Sequence, residues 1–270
     1  MKKKVRKNIF WVLLFLVIVL LCMTAPLYAV YSPTEVDLGS VLQKPDAVHW
    51  FGTDRFGRDL FTRVLYGARI SLMVGIVTAV INTIIGVIYG GIAGYVGGRV
   101  DMWMMRLTDI LYSIPELLYI ILIMLIFGSN VRSIIIGVCV AGWISMARMV
   151  RSQIITLKEQ EFALAAFVLG ANSRRILFKH LIVNSLGTII VTITLMIPQA
   201  IFMEAFLSFV GVGISAPMAS LGTLAQDART YLEIFPYQML FPVAAICVTI
   251  FSLNFIGEGL NSALNPKGKR

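Results

Sequence analysis

Predominantly apolar runs of about 20 residues recur along this chain, and that is the length a helix needs to cross the roughly 30 Å hydrocarbon core of a bilayer. They fall at residues 10–30, 71–93, 107–127, 133–149, 186–210 and 239–257; the fourth is short, and the third and fifth carry internal acids. A β-barrel would instead alternate apolar and polar residues over about ten positions per strand, and no such alternation is present. Composition agrees: 58% of residues are hydrophobic and 14% charged, against roughly 45–50% and 25% in a soluble domain. A cytosolic catalyst and a disordered chain are both excluded. The expectation is an all-α membrane protein with six transmembrane helices, one membrane domain over residues 1–270.

At the N-terminus, Lys2, Lys3, Lys4, Arg6 and Lys7 precede a charge-free run over 9–30. That run exceeds the apolar core of a signal peptide, about 7–15 residues, so a retained anchor is expected, although Pro26-Leu27-Tyr28-Ala29 leaves cleavage open. Cys22, Cys139 and Cys247 all lie in apolar stretches without CxxC spacing, which fits packing rather than a disulfide framework or a metal site.

The net charge of +9 would suggest nucleic acid on a soluble protein; here it sets topology, and no nucleic-acid partner is expected. Six spans place both termini on one side. That side, with the 94–106 and 147–185 connections, holds 16 Lys and Arg against 7 on the other, so the termini are expected in the cytoplasm. The first outer loop, 31–70, carries five of the dissenting cations, but Glu35, Asp37, Asp46, Asp54 and Asp59 neutralise them.

Familiar catalytic patterns are missing. There is no GxxxxGK[ST], HExxH or GxSxG, and no Lys is followed by Ser or Thr. The topology puts His49 and His180 on opposite sides of the membrane. An intramembrane enzyme is therefore disfavoured, and no metal site is expected.

Three groups of residues remain. In the 150–185 connection, Phe162, Ala165, Ala166, Leu169, Ser173 and Ile176 recur at helical spacing after Glu161. They predict an amphipathic helix, either docking onto a partner or lying on the bilayer with Arg174, Arg175 and Lys179 at the headgroups. In the outer loop, Phe56, Leu60, Val64 and Gly67 share a helical face while Asp54, Arg58, Asp59 and Arg63 take the other positions. This predicts a second amphipathic helix, a gate or a lid held by exposed ion pairs worth about 0–1 kcal/mol each. Within or beside the spans lie Asp109, Glu116, Glu204 and Glu258. Asp109 and Glu258 sit near cytoplasmic ends, where pairing with Arg106, Arg148 or Arg151 is expected. Glu116 and Glu204, with Ser208 beside the latter, either line a polar passage or form interhelical hydrogen bonds. Pro115 and Pro198 invite kinks.

Ala165-Ala166, three further residues, Gly170 and then His180-Leu-Ile-Val-Asn184 resemble the cytoplasmic loop of permease subunits of ABC importers. His49-Trp-Phe-Gly-Thr-Asp54-Arg-Phe-Gly-Arg58-Asp59 through Ser71-Leu72 resembles the first outer loop of the dipeptide/oligopeptide/nickel branch, in its second, C-type permease. Arg106-Leu-Thr-Asp109, Ala147-Arg148-Met-Val-Arg151, Glu204-Ala-Phe-Leu-Ser-Phe-Val-Gly-Val-Gly213 and Asp227-Ala-Arg229 extend the resemblance along the chain. Leu164 and Val183 depart from the general motif, which has Glu and Pro there, and Glu116 is not expected from the family pattern.

The resemblance implies a type I ABC importer-like fold with a cytoplasmic coupling helix. It implies a bacterial cell membrane location and a second homologous permease, with an extracytoplasmic binding protein delivering substrate. Two cytoplasmic ATPases would bind the ATP and Mg, leaving this chain without a cofactor of its own. Glu161, Phe162, Ala165, Ala166, Leu169, Gly170 and Arg174 would couple to the ATPases, Glu116, Glu204 and Ser208 would line the pathway, and Asp54, Arg58, Asp59 and Arg63 would form an outer gate or lid. Di- or oligopeptides are the expected cargo, nickel or a metal chelate the alternative. A secondary transporter is disfavoured because no inverted repeat is evident.

Overall fold

A computed structural model describes residues 2–215 and 217–264, with side chains from residue 9 onward. The basic C-terminal residues lie outside the described residues, as do the side chains of the N-terminal cations. The helices are α1 (Lys2–Tyr28), α2 (Leu60–Val96), α3 (Gly98–Tyr112), α4 (Glu116–Phe127), α5 (Val131–Ala141), α6 (Trp143–Leu157), α7 (Glu161–Val168), α8 (Ser173–Arg175), α9 (Ile182–Val210), α10 (Leu221–Arg229) and α11 (Tyr237–Leu264). A π-helical turn, Ile176–Leu181, joins α8 to α9. Five helical stretches are long and apolar enough to cross a membrane, α5 and α6 counting together as Val131–Leu157; the α3–α4 pair makes a sixth if its two arms are one span.

That pair corrects the expectation of a continuous third helix over 107–127. Its arms are bent by 73° at Ser113-Ile114-Pro115. Proline offers no amide to the preceding turn and disfavours helical geometry at Ile114, so α4 must restart at Glu116. Pro198, by contrast, stays inside an unbroken α9. The fourth span is longer than the 133–149 expected: the Asn130 side chain accepts from the Ser133 amide at its start, and the helix runs on to Leu157.

The central element is α2. Asp59 caps it by accepting from the Thr62 amide, and Gly97, at φ +70°, ends it. Gly86, Gly90 and Gly94, each one turn from the next, form the face that meets α6. A β-carbon on Gly90 would stand 2.1 Å from the Ala147 carbonyl oxygen, one on Gly86 2.6 Å from the Met146 side chain, and one on Gly94 2.7 Å from the Arg151 carbonyl oxygen. The helices therefore touch backbone to backbone, as small residues repeated every four positions allow in lipid, where the hydrophobic effect gives no help. Two polar ties brace the end of this contact nearest α7: Arg151 donates to Asp101 of α3 at 2.6 Å, and Lys158 Nζ donates to the Gly94 carbonyl at 3.1 Å.

The short helix α10 had no counterpart among the predicted spans. Ser220 and Thr223 cap each other's backbone in a reciprocal box, and Leu221, Leu224, Ala225 and Ala228 are buried.

Gly90→Val should place methyl groups where a backbone carbonyl already lies, an overpacking that costs about 1–3 kcal/mol or more. The expected outcome is a lowered thermal midpoint and reduced yield of the purified protein in detergent, with Gly91→Val, whose β-carbon would meet nothing closer than 3.6 Å, far milder.

Candidate functional site

Where α4 restarts, the chain leaves a recess of about 300 Å³ midway along the spans. Asn82 of α2, Glu116 of α4, Gly142 and Ser145 at the α5–α6 junction, and Gln199 and Met203 of α9 are among its lining residues. Glu116 is partly buried and makes no hydrogen bond or ion pair among the described residues. Asn82 is 3% exposed with its amide oxygen unpartnered, while Ser145 and Gln199 stand at the open side. Of the three residues expected on a passage, Glu116 is the one the structure puts in this recess.

Glu204 and Ser208 do not line it. The Glu204 side chain is fully buried between helices; one carboxylate oxygen accepts from the Ser71 hydroxyl of α2 at 2.6 Å, the other from Ser208 at 2.8 Å. The glycines Gly213 and Gly222 close over Ser208, where added β-carbons would fall 2.1 and 2.8 Å from its side chain. Of the two roles the sequence allowed, the interhelical knot is the one built. The other acids follow expectation in part: Asp109 pairs with Arg148 at 2.9 Å, while Arg151 takes Asp101.

On the side where α2 begins, residues 29–59 fold into a lid with one short 3₁₀ turn, Leu38–Ser40. Here the predicted amphipathic helix is corrected, because helix begins only at Leu60. Residues 53–59 form a tight loop closed by a Thr53–Asp59 bridge, with Gly52 and Gly57 at positive φ. An added β-carbon at Gly57 would lie 1.7 Å from the Asp37 carbonyl oxygen. The helical spacing was misleading because the glycines that turn the chain occupied positions the periodicity ignored.

The ion pairs are also buried rather than exposed. Asp54 accepts from Arg58 Nε at 2.7 Å and from Arg63, whose residue exposure is 4%. Asp227 of α10 lies 3.8 Å from Arg63 and 3.5 Å from the more open Arg55. Asp59 serves twice, capping α2 and holding His49 Nδ1 at 3.0 Å. The lid is fastened to α11 by Tyr237 donating to the Gln43 carbonyl, Gln238 donating to the Thr53 carbonyl, and Phe51 stacked on Phe241 at 3.9 Å. At its edge the Ser40 hydroxyl and Gly39 amide hold the Asp37 carboxyl below its ordinary range, and the His49 and Val48 amides do the same for Asp46.

Between α6 and α9, the predicted docking helix forms from Glu161 but stops at Val168, short of Ser173; Gly170, at φ +80°, turns the chain. Ala163 and Ala166 face inward onto a cluster with Ile154, Ile176 and Leu177. Ala166 is thus packed against its own subunit. The exposed face is apolar instead: Phe162, Leu164, Phe167, Val168 and Leu169, the last 87% exposed, with Glu161, Ala165 and Arg174 also open.

Residues 86–270 match the family described as binding-protein-dependent transport system inner membrane component. The chain belongs to this family. Its fold is accordingly that of type I ABC importer permeases, and it works with ATPase and substrate-binding partners. It is 46% identical over 255 residues to the oligopeptide transport system permease protein OppC of Bacillus subtilis (strain 168), covering 94% of this chain and 84% of that one. Identity to the dipeptide transport system permease protein DppC of the same organism is 45% over 270 residues, 100% of this chain and 84% of DppC. For OppC of Escherichia coli (strain K12) it is 44% over 259 residues, 95% of this chain and 86% of the relative.

Asp54→Asn should leave Arg58 and Arg63 buried without their shared carboxylate, a loss of about 3–5 kcal/mol. Asp227→Asn, at a more open position, should cost distinctly less. Thermal unfolding of the purified variants in detergent checks the order.

Proposed function

We propose that this permease forms half of the pathway of an ATP-driven importer of di- or oligopeptides in a bacterial cell membrane, both termini cytoplasmic. The observation that carries the reading is the likeness along 94–100% of the chain to permeases of oligopeptide and dipeptide transport systems. None of the relatives named above is a nickel permease. A second homologous permease supplies the other half, an extracytoplasmic protein delivers the peptide, and two ATPases bind ATP and Mg. No cofactor is assigned to this chain.

ATPase closure reaches the membrane helices through α7. Its exposed face of Phe162, Leu164, Phe167, Val168 and Leu169 is too apolar to be left in water and is carried on a rigid base, since Ala163 and Ala166 pack against Ile154 of α6 and the turn leading into α9. A push on Leu169 and Gly170 is thereby delivered to two spans at once. Arg174 and Glu161 flank the contact, and the Asp54–Arg58–Arg63 lid, with Asp59 at its hinge with α2, closes the outer side.

Leu169→Asp should abolish peptide uptake and weaken retention of the ATPases on purification, with the permease still inserted at normal levels. Ala166→Phe should instead lower the level of folded permease, because that side chain points inward. Full uptake by Leu169→Asp with the ATPases bound normally would remove α7 from the coupling path. For topology, a reporter fused after Arg270 should behave as cytoplasmic and one inserted near Asp46 as external; the reverse pattern would overturn the orientation.

A further inference from the structure

We infer that the mid-membrane recess is a cation-selecting half-site that takes the free ammonium end of the peptide, with Glu116 as its counter-charge and Asn82 and Gln199 reading the adjacent backbone amides. The inference rests on the peptide-import reading and adds to it which end of the cargo this subunit recognises.

The first argument is the state of the polar groups. Four side chains that line the recess, Asn82, Glu116, Ser145 and Gln199, have no hydrogen-bond or ion-pair partner among the described residues. The other acids on the helices that have a partner find it close by: Glu204 has two serine hydroxyls, Asp109 has Arg148 and Asp101 has Arg151. An ionisable side chain at membrane depth is costly unless it is paired or faces a polar passage. A buried amide oxygen without a donor, such as that of Asn82, similarly calls for one to arrive. The buried, unpartnered Asn82 oxygen and the unpaired Glu116 carboxyl line one 300 Å³ space, with Ser145 and Gln199 at its open side, and indicate a site whose ligand completes it.

The second argument is sign. No Lys, Arg or His lines the recess, so the only charge its lining can carry is the negative one of Glu116. It repels a carboxylate and attracts an ammonium, and a free peptide carries one of each. The amine end is the one this chain can accept.

Shape supplies the third argument. Gly142 and Ala79 keep the walls low on two sides, and Met196, Phe202 and Met203 give an apolar border. Pliable methionines and an aromatic edge accommodate side chains of different size, while the charge and amide contacts address only what all peptides share. A permease passing many sequences needs that division: fixed recognition of the terminus, loose recognition of the side chain.

The test uses the complete transporter, with both permeases, the ATPases and the loaded binding protein, in proteoliposomes, and follows a tripeptide with a free N-terminus. Glu116→Gln should lower tripeptide delivered per ATP hydrolysed by roughly tenfold or more, with the ATPase rate evoked by the loaded binding protein kept within about twofold. Glu116→Asp should restore most of the delivery. Gln199→Lys, at an exposed rim position, should give the same loss by repelling the ammonium. Unchanged delivery in either Glu116→Gln or Gln199→Lys would overturn the half-site. So would loss of the second permease from the purified Glu116→Gln complex, which would make Glu116 a subunit contact. If the wild-type transporter delivered no peptide at all, the peptide reading itself would fail, and that result is distinct from the variant pattern.

Discussion

Everything in this subunit is hung from the contact between α2 and α6. Lipid offers no hydrophobic gain for joining two apolar helices, so their association depends on how closely the backbones approach and on the dispersion and carbonyl contacts this allows. Gly86, Gly90 and Gly94 permit an approach that one methyl group would block. The consequences run in both directions along α6. Toward its N-terminus, the seam brings Asn82 against Gly142, where an added β-carbon would lie 2.5 Å from the Asn82 amide, and so sets one wall of the recess. Toward its C-terminus, it aligns Arg151 with Asp101 and sets Ile154 beneath Ala163 and Ala166, so the position of α7 is fixed by a seam inside the membrane.

The lid over the start of α2 is held by different physics. Buried guanidiniums are expensive, and Arg58 and Arg63 are tolerated because Asp54 receives both while Asp227 approaches from α10. The attraction on its own does little more than offset desolvation. What it provides is specificity, because α10, α2 and the 53–59 loop must be in register for the charges to cancel. Stacking of Phe51 on Phe241 and the Tyr237 and Gln238 hydrogen bonds add the affinity that the charges do not. A lid built in this way opens as a unit or not at all, since withdrawing any one element leaves a charge behind.

The spans were legible in the sequence because the bilayer imposes a single length and polarity on them, and Glu116 stood out as an acid inside the third run. The failures share a cause. Helical spacing alone cannot see a turn, so residues 53–59 read as helix although Gly52 and Gly57 mark a reversal. Periodicity also shows that a helix has two faces without saying which one its own subunit covers. Ala166 read as a docking residue, yet its small size serves internal packing, and the large residues left outside, Phe167 to Leu169, are the ones a partner can grip. For Glu204 the needed information was non-local: Ser71 is 133 residues away, and no pattern along the chain announces that pairing. The α2 glycine stripe, by contrast, was visible as Gly86, Gly90 and Gly94 and passed unread among many apolar residues.

The break at Pro115 shows how one local rule can generate a functional geometry. Had α3 continued straight into α4, residue 116 would lie mid-helix, its amide bonded to the turn before. Proline forbids this, so Glu116 opens a new helix, in the first turn of α4. This leaves the carboxylate at the end of a helix whose partner α5 leads directly into α6, and α6 carries the base of α7. The recess acid and the exposed apolar face of α7 are thus attached to one connected set of rigid segments. Under the proposed coupling through α7, a movement imposed at Leu169 would be carried along these segments to the geometry around Glu116.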